Sequence, residues 1–292
     1  MTKPPADYLT IGPLTKDLAG KGYTLGGTVA YASKTALVFG LQPALVTSHS
    51  HKINLDPLKG VEIISKPSTN DTTFENIETS EGRVQILHET AEKITREDIP
   101  VDLRQIPIVH IGPLANEVDE DLISVFSDDC LVGITPQGWM RGRSADGHVI
   151  YQPWRPSDEA CQRANAVVIS DEDVRKDESI IQDYAQMFKL LVVTEGFNGA
   201  RVYWHGDVRH FSAPKMAVVD ATGAGDIFAA AFFIRLKATS DPWEAAETAV
   251  QLASISVTRV GLNGVPTPEE VKSSLMEITK GSSSQPRRGA SQ

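Results

Sequence analysis

Val218-Val219-Asp220-Ala221-Thr222-Gly223-Ala224-Gly225-Asp226 runs straight into Ile227-Phe228-Ala229-Ala230-Ala231-Phe232-Phe233-Ile234. The first part reads as a short apolar strand entering a turn of small residues. The second reads as a helix that is apolar on nearly every face, which must be buried, so its first turn sits deep in the molecule. Small residues at 223–225 let a ligand approach free backbone N–H groups. Those groups and the helix dipole favour an anion, typically phosphate. A carboxylate at the same place would repel that anion, and makes sense as a base taking a proton from a hydroxyl that attacks the phosphate. Asp226 is therefore the candidate general base and Gly223, Ala224 and Gly225 the candidate anion hole. Asp220 and Thr222 fix the turn and are placed to help order a cation. A bare strand-to-helix connection with Asp226 as N-cap would use the same residue types. The buried helix behind the turn favours the functional reading.

Outward from this stretch, short apolar runs alternate with longer amphipathic ones. Tyr8 to Ile11, Ala44 to Ser48, Ile108 to Ile111, Leu131 to Ile134, Ala166 to Ile169 and Leu190 to Thr194 read as parallel strands buried on both faces. Gly27 to Phe39, Glu117 to Phe126 and Asp171 to Phe188 read as helices between them. The expected fold is α/β, a doubly wound, mostly parallel sheet flanked by helices. From Val61 to His88 the pattern turns period-two, with Thr72, Phe74, Asn76 and Glu78 alternating against Thr73, Glu75 and Ile77. Thr79-Ser80-Glu81-Gly82 supplies a turn, so a hairpin or small sheet is expected outside the main layer. A second hairpin is expected from Arg201 to Phe211 around Trp204-His205-Gly206-Asp207. Asp241-Pro242 and Thr267-Pro268-Glu269-Glu270 are helix starts, the latter a capping box. Gly281 to Gln292 has no apolar anchor and is expected to be a disordered tail.

Composition narrows the function. With 292 residues, 41% of them hydrophobic, the chain can bury a sizeable core, so wholesale disorder is excluded. No apolar run approaches the roughly 20 residues of a membrane span, and the start shows no signal-peptide core. Only Cys130 and Cys161 are present, which excludes a disulfide framework and suits a reducing, cytoplasmic setting. A net charge of −10 argues against nucleic acid and membrane surfaces as partners. P-loop, dinucleotide-binding and nucleophile-elbow motifs are all missing. His49-Ser50-His51 would put two rings on one side of a strand, but a polar loop accounts for it better than a metal pair.

Asp220-Ala221-Thr222-Gly223-Ala224-Gly225-Asp226 resembles the D-x-T-G-A-G-D signature of the ribokinase-like (pfkB-type) kinases. The resemblance extends along most of the chain. Gly12-Pro13-Leu14-Thr15-Lys16-Asp17 resembles the family segment ending in a substrate-binding aspartate, here Asp17. Gly26-Gly27 resembles the di-glycine that packs under the substrate. Thr194-Glu195-Gly196-Phe197-Asn198-Gly199 resembles the T-x-G-x-x-G stretch near the nucleotide phosphates, and Ser254 to Val257 with Gly261 resembles the part bordering the adenine. The resemblance implies transfer of the γ-phosphate of ATP, with Mg2+ and, as in many relatives, K+, to a hydroxyl of a small metabolite. It implies one kinase domain over residues 1–280, a ribokinase-like fold with a small β lid formed by strands about 67–88, and a monomer or homodimer. Thr194, Gly196, Gly199, Thr222 and Gly225 would then line the nucleotide.

Four features depart from the family pattern or select within it. Tyr31 stands where relatives usually carry a substrate-contacting asparagine. Ser170-Asp171-Glu172-Asp173 replaces the metal-associated N-x-x-E, leaving Ser170 and Asp173 as the metal-side candidates. Only Lys16 to Leu25 separate the first strand from the di-glycine, too few for lid strands there, which puts a lid-mediated dimer in doubt. Leu25-Gly26-Gly27, Thr72 to Glu75, Gln137 and Arg141 resemble the inositol-kinase-like branch. Asp17, Thr28, Gln137 and Arg141 would offer polar groups to a polyol such as myo-inositol. A nucleoside acceptor would instead need an aromatic slot, for which Tyr31 and Phe74 are the candidates. A catalytically silent, metabolite-binding relative would keep the fold without turnover.

Overall fold

The computed structural model describes residues 5–20, 22–79 and 82–282. In chain order the first strands are β1 (Tyr8–Ile11), β2 (Thr15–Ala19), β3 (Gly22–Gly26), β4 (Pro43–His49), β5 (Glu62–Pro67), β6 (Thr72–Thr79) and β7 (Gly82–Glu89). Then follow β8 (Ile108–Ile111), β9 (Leu131–Ile134), β10 (Arg141–Arg143), β11 (Val149–Tyr151), β12 (Ala166–Ser170), β13 (Leu190–Thr194), β14 (Ala200–Trp204) and β15 (Asp207–Phe211). The helices are α1 (Thr28–Val38), α2 (Asp158–Arg163), α3 (Glu178–Met187), α4 (Ala224–Thr239), α5 (Pro242–Ser256) and α6 (Pro268–Ser282).

The main sheet has the order β15-β14-β13-β12-β9-β8-β1-β4-β5, parallel from β13 to β5 and antiparallel at β14 and β15. Its central strands alternate between two buried faces, as period-two geometry requires. Leu9, Ile11, Val109, Ile111, Val132 and Ile134 face one core together with Trp139, Trp154 and Tyr184. Tyr8, Ile108, Leu131, Val168 and Val192 face the other, where Phe228, Phe232 and Phe233 of α4 pack with α5. Ile227 to Ile234 are all buried, the reason this helix carries no polar face. The doubly wound α/β plan is therefore the one the alternation implied.

Several local expectations are corrected. Residues 16–25, judged too short for lid strands, contain the β2–β3 hairpin, and the lid is a four-stranded sheet in the order β3-β2-β6-β7. Thr15-Lys16-Asp17-Leu18-Ala19 has little strand propensity of its own; pairing with β6 on one side and β3 on the other holds it extended. Glu62–Pro67, assigned by pattern to the extra sheet, pairs parallel with β4 and forms the edge of the main sheet. Residues 117–126 hold only a 3-10 segment, Glu120–Val125, and the helix expected from Asp171 starts at Glu178, after a 3-10 turn and left-handed Arg175 and Lys176. Val218 and Val219 form no strand and their side chains are exposed. Gly281 and Ser282 belong to α6, and the remainder of the expected tail lies outside the described residues, as do Ser80 and Glu81 of the expected turn.

Other signals hold in atomic detail. Asp241 caps α5 by accepting from the N–H groups of Trp243 and Glu244. Thr267 and Glu270 exchange the two hydrogen bonds of a capping box. His205 and Gly206 both take positive φ between β14 and β15, the backbone a two-residue hairpin turn needs.

Candidate active site

The loops that follow β1, β9, β12 and β13 leave the carboxyl ends of neighbouring parallel strands, where open α/β sheets place their ligands. The first turn of α4 and the inner edge of the lid meet them there. Gly27 caps α1 at φ 96°, and a Cβ at that position would lie 2.6 Å from the carbonyl of Pro13, so only glycine lets the helix start this close to the β1 loop.

The anion loop is braced from one side by Asp220. Its Oδ1 accepts from the N–H of Thr222 at 2.9 Å and its Oδ2 from the N–H of Gly261 at 2.8 Å. The N–H groups of Val219 and Asp220 donate to the carbonyl of Val257 at 2.8 and 3.0 Å. Gly223 then takes φ 79° and caps α4. The N–H of Ala224 donates to the carbonyl of Ala221 at 3.2 Å, so this member of the candidate hole has its proton engaged within the turn. The next two amides, of Gly225 and Asp226, have no acceptor among the described residues. Gly225 is exposed, and a Cβ there would meet nothing within 4 Å. Two successive bare N–H groups at the start of a sixteen-residue helix make this the candidate anion seat.

Asp226 points back toward α1, where the Thr28 hydroxyl donates to Oδ1 at 2.7 Å. Burial pushes the Asp226 carboxyl up to about 6. The Thr28 hydrogen bond and the Arg141 charge act against that rise, and the carboxylates of Asp173 and Asp17 add to it. Asp17, Arg141 and Asp173 are thus gathered around Asp226 from the lid, from β10 and from the loop after β12. A carboxylate titrating near neutrality is suited to exchange a proton with an alcohol during transfer.

On the acceptor side, Asp17 lies over Gly26, where a Cβ would overlap its Oδ2, and Thr15 Oγ1 donates to its Oδ1 at 3.3 Å. The guanidinium of Arg141 stands 5.8 Å from the centre of the Phe74 ring, and its Nη1 donates to the Leu114 carbonyl at 3.5 Å. Gln137 was expected at the substrate. Its Nε2 donates to Asp173 Oδ1 at 2.8 Å, joining the acceptor-side loop to the metal-side candidate. Phe74 and Tyr31 are each 2% exposed, so neither ring is open to stack on a base.

On the donor side, Ser170 and Thr194 are register partners at the ends of β12 and β13. Asp173 Oδ2 accepts from the N–H of Ser170 at 2.9 Å, and Ser170 Oγ accepts from the N–H of Glu172 at 3.2 Å. Thr194 Oγ1 donates to the Ile169 carbonyl at 3.3 Å. Gly196 is open, whereas Gly199 is required at φ 102° because a side chain would strike the Phe211 carbonyl. Among the described residues no group of three or more His, Cys, Asp or Glu could hold a metal by itself. Asp173 keeps lone pairs beyond its two hydrogen bonds, and one hard oxygen donor suffices for Mg2+ that takes its other ligands from phosphates and water.

Two further contacts complete the candidate site. Thr28, expected to bind substrate, also donates to the carboxylate, a pairing across 198 positions that no local pattern signals. Tyr31, noted as a departure and as a candidate ring for a nucleoside slot, packs beneath Gly223.

Residues 160–269 match the model of the pfkB family carbohydrate kinases. A 2-dehydro-3-deoxygluconokinase of Thermoproteus tenax is 33% identical over 121 residues, which cover 38% of this chain and 37% of that protein. An inositol 3-kinase of Zea mays is 37% identical over 106 residues, covering 35% of this chain and 27% of that protein. The matched stretch thus spans well under half the length of these curated relatives. Among solved structures, a pyrophosphate-dependent kinase of the ribokinase family, complexed with a pyrophosphate analog and myo-inositol, superposes with a TM-score of 0.77. That match has 20% identity and covers 91% of this chain and 99% of the other. At that identity it shows the fold, which is ribokinase-like with its lid.

Proposed function

We propose that this chain, whose residues 160–269 match the pfkB family carbohydrate kinases, acts as a kinase of that family and moves the γ-phosphate of ATP to a hydroxyl of a sugar or polyol, with myo-inositol the favoured acceptor. The observation that carries the reading is the Thr28–Asp226 hydrogen bond, which holds a near-neutral carboxyl beside the bare amides of Gly225 and Asp226. With Oδ1 engaged by Thr28, Oδ2 is the oxygen left for the acceptor hydroxyl. As that hydroxyl attacks, its proton passes to Asp226, and the amides take up charge on the oxygens of the transferring group. Asp17 and Arg141 orient the remaining acceptor hydroxyls, and the lid strand bearing Asp17 limits water at the reacting centre. Asp173 and Ser170 are the residues that would hold Mg2+ through its water shell; the ion supplies charge neutralisation to the phosphates. Thr194, Gly196, Gly199 and Thr222 border the phosphate path.

The acceptor assignment is supported by the inositol named for a relative and for a structural neighbour. A nucleoside acceptor loses support, because Tyr31 and Phe74, the rings it would need, are buried. ATP rather than pyrophosphate as donor is supported by the exposed valines 218, 219 and 260, which flank the anion loop and offer an apolar shelf to a purine. The test is a matrix of acceptors (myo-inositol, ribose, fructose, 2-dehydro-3-deoxygluconate, adenosine) against ATP and pyrophosphate, each with Mg2+, scored by phosphorylated product. Turnover confined to myo-inositol and ATP is the expected result. No product with any acceptor would remove the kinase reading, and product only with pyrophosphate would remove the donor assignment.

A further inference from the structure

Thr28 and Tyr31 lie three residues apart near the start of α1 and so share one face of that helix. Thr28 reaches the carboxylate of Asp226, and Tyr31 reaches the loop that carries the amides. The Tyr31 ring packs with Ile227 and Val265, and its Cδ1, Cε1 and Cζ lie so close to Gly223 that any Cβ there would overlap them. One helical turn therefore touches both halves of the candidate machinery. We infer that Tyr31 is a positioning residue for the anion loop, its ring being the surface on which Gly223 rests while the Gly225 and Asp226 amides face the transferring phosphoryl group. This rests on the phosphoryl-transfer reading above.

The loop needs such a support. Gly223 is held at φ 79°, where glycine gains no preference from side-chain sterics and the backbone must be kept in place by its neighbours. Asp220 and the Val257 carbonyl brace the loop on its α5 side. On the α1 side the brace is the ring of Tyr31. Its hydroxyl makes no hydrogen bond among the described residues. Burial foremost, then the nearby carboxylates of Asp226, Asp17 and Asp220, keep the phenol protonated by raising it well above its usual range. A neutral, unpartnered hydroxyl leaves the ring as the part of the side chain that acts here. Removing the ring would leave a cavity directly under Gly223, which the loop would partly fill by sagging.

The test uses the full chain with Tyr31→Phe and Tyr31→Ala, measuring kcat, the two KM values and Tm. In parallel, inorganic pyrophosphate is titrated against the Gly225 and Asp226 amide resonances. Tyr31→Phe should stay within about twofold of wild type in every quantity. Tyr31→Ala should lose at least about tenfold in kcat, with acceptor KM changed by less than about threefold, because an amide pair moved by a fraction of an ångström loses its aim. Measured well below the Tm of every variant, so that each is fully folded, its pyrophosphate affinity should fall and Tyr31→Phe should restore it. If Tyr31→Ala fails to fold, Tyr31→Leu takes its place under the same criteria. Wild-type kcat and pyrophosphate affinity in the truncated variant would overturn the inference, as would a Tyr31→Phe variant as damaged as Tyr31→Ala. The binding arm needs no acceptor, so a wild-type protein that phosphorylates nothing while showing the Ala-versus-Phe contrast would refute the transfer reading and leave the loop support standing.

Discussion

The Thr28 hydroxyl donates to Asp226 Oδ1 at 2.7 Å, tying the first residue of α1 to the third residue of α4. The bond stabilises the charged carboxylate and so opposes the rise that burial causes. Thr28→Val keeps the shape and removes the donor. The proton on Asp226 should then be held more tightly, and the acid limb of the kcat profile, set by a group near 6, should move toward neutral pH. At pH 7 the variant should turn over more slowly than wild type and approach it at higher pH. A limb that stays in place would show that Thr28 does not tune the base.

Asp226→Asn removes the proposed base, and turnover should fall by about two to four orders of magnitude, with ATP still bound. The same change should stabilise the protein at neutral pH. The folded carboxyl titrates at about 6 against an ordinary value of 3.8, so between those values the native state binds more protons than the unfolded chain. Stability therefore falls as pH rises through that window, and the penalty is complete above it. Asparagine carries no such penalty. Its Tm at pH 7.5 should exceed that of wild type by about 2–4 °C for each kcal/mol relieved. The gap should close as the pH is lowered below the window. Calorimetry on both proteins across pH checks this, and an Asn variant less stable than wild type at pH 7.5 would contradict it.

Much of this site was legible because its chemistry is packed into contiguous residues. Asp220 to Asp226 announces a helix that begins at the candidate anion seat, and the apolar run behind it fixes its depth. What stayed hidden was non-local. Residues 15–19 form a strand only because β3 and β6 flank them, so their own propensities point elsewhere. Val218 and Val219 look like a strand by hydropathy, yet their segment is pinned to the carbonyl of Val257 and leaves both side chains in solvent. Gln137 and Asp173 were assigned to different ligands, and only the fold shows the hydrogen bond between them.

Arg141 is the cation that bears on Asp226, and its planar head lies over Phe74 of the lid. Arg141→Met keeps most of the apolar stem and removes the charge. Without that charge the carboxylate is less favoured, so the acid limb should move upward as in Thr28→Val. Acceptor KM should also rise, by about tenfold, as expected for loss of one hydrogen-bonded contact to a charged group. Thr28→Val should leave acceptor KM nearly unchanged, which separates the two variants. Steady-state kinetics over pH with saturating ATP makes the comparison. An Arg141→Met enzyme with an unshifted limb and unchanged acceptor KM would remove Arg141 from the site.

Asp71 fastens the lid to the main sheet by joining Lys16, the residue before Asp17, to Ser50. It is 5% exposed, and its carboxylate takes the Lys16 ammonium at 2.5 Å, the Ser50 N–H at 2.6 Å and the Ser50 hydroxyl at 2.7 Å. Burial raises its pKa, but the bonds from Lys16 and Ser50 and the Lys16 charge outweigh that and hold it below the usual carboxylate range. A depressed folded value means that its stabilisation is complete above the ordinary value of 3.8 and is lost as pH falls through the folded one. Asp71→Ala strands the Lys16 ammonium and two Ser50 donors, and should destabilise the protein by about 3 kcal/mol at pH 7. Pairing it with Lys16→Met should recover much of that loss, since the ammonium is then gone. Urea unfolding at pH 7 and at pH 3 gives the comparison, and the gap between wild type and Asp71→Ala should be smaller at pH 3. Because Lys16 adjoins Asp17 on β2, the single variant should also raise acceptor KM more than donor KM. Equal urea midpoints for wild type and Asp71→Ala at pH 7 would show that this buried pair does not hold the lid in place.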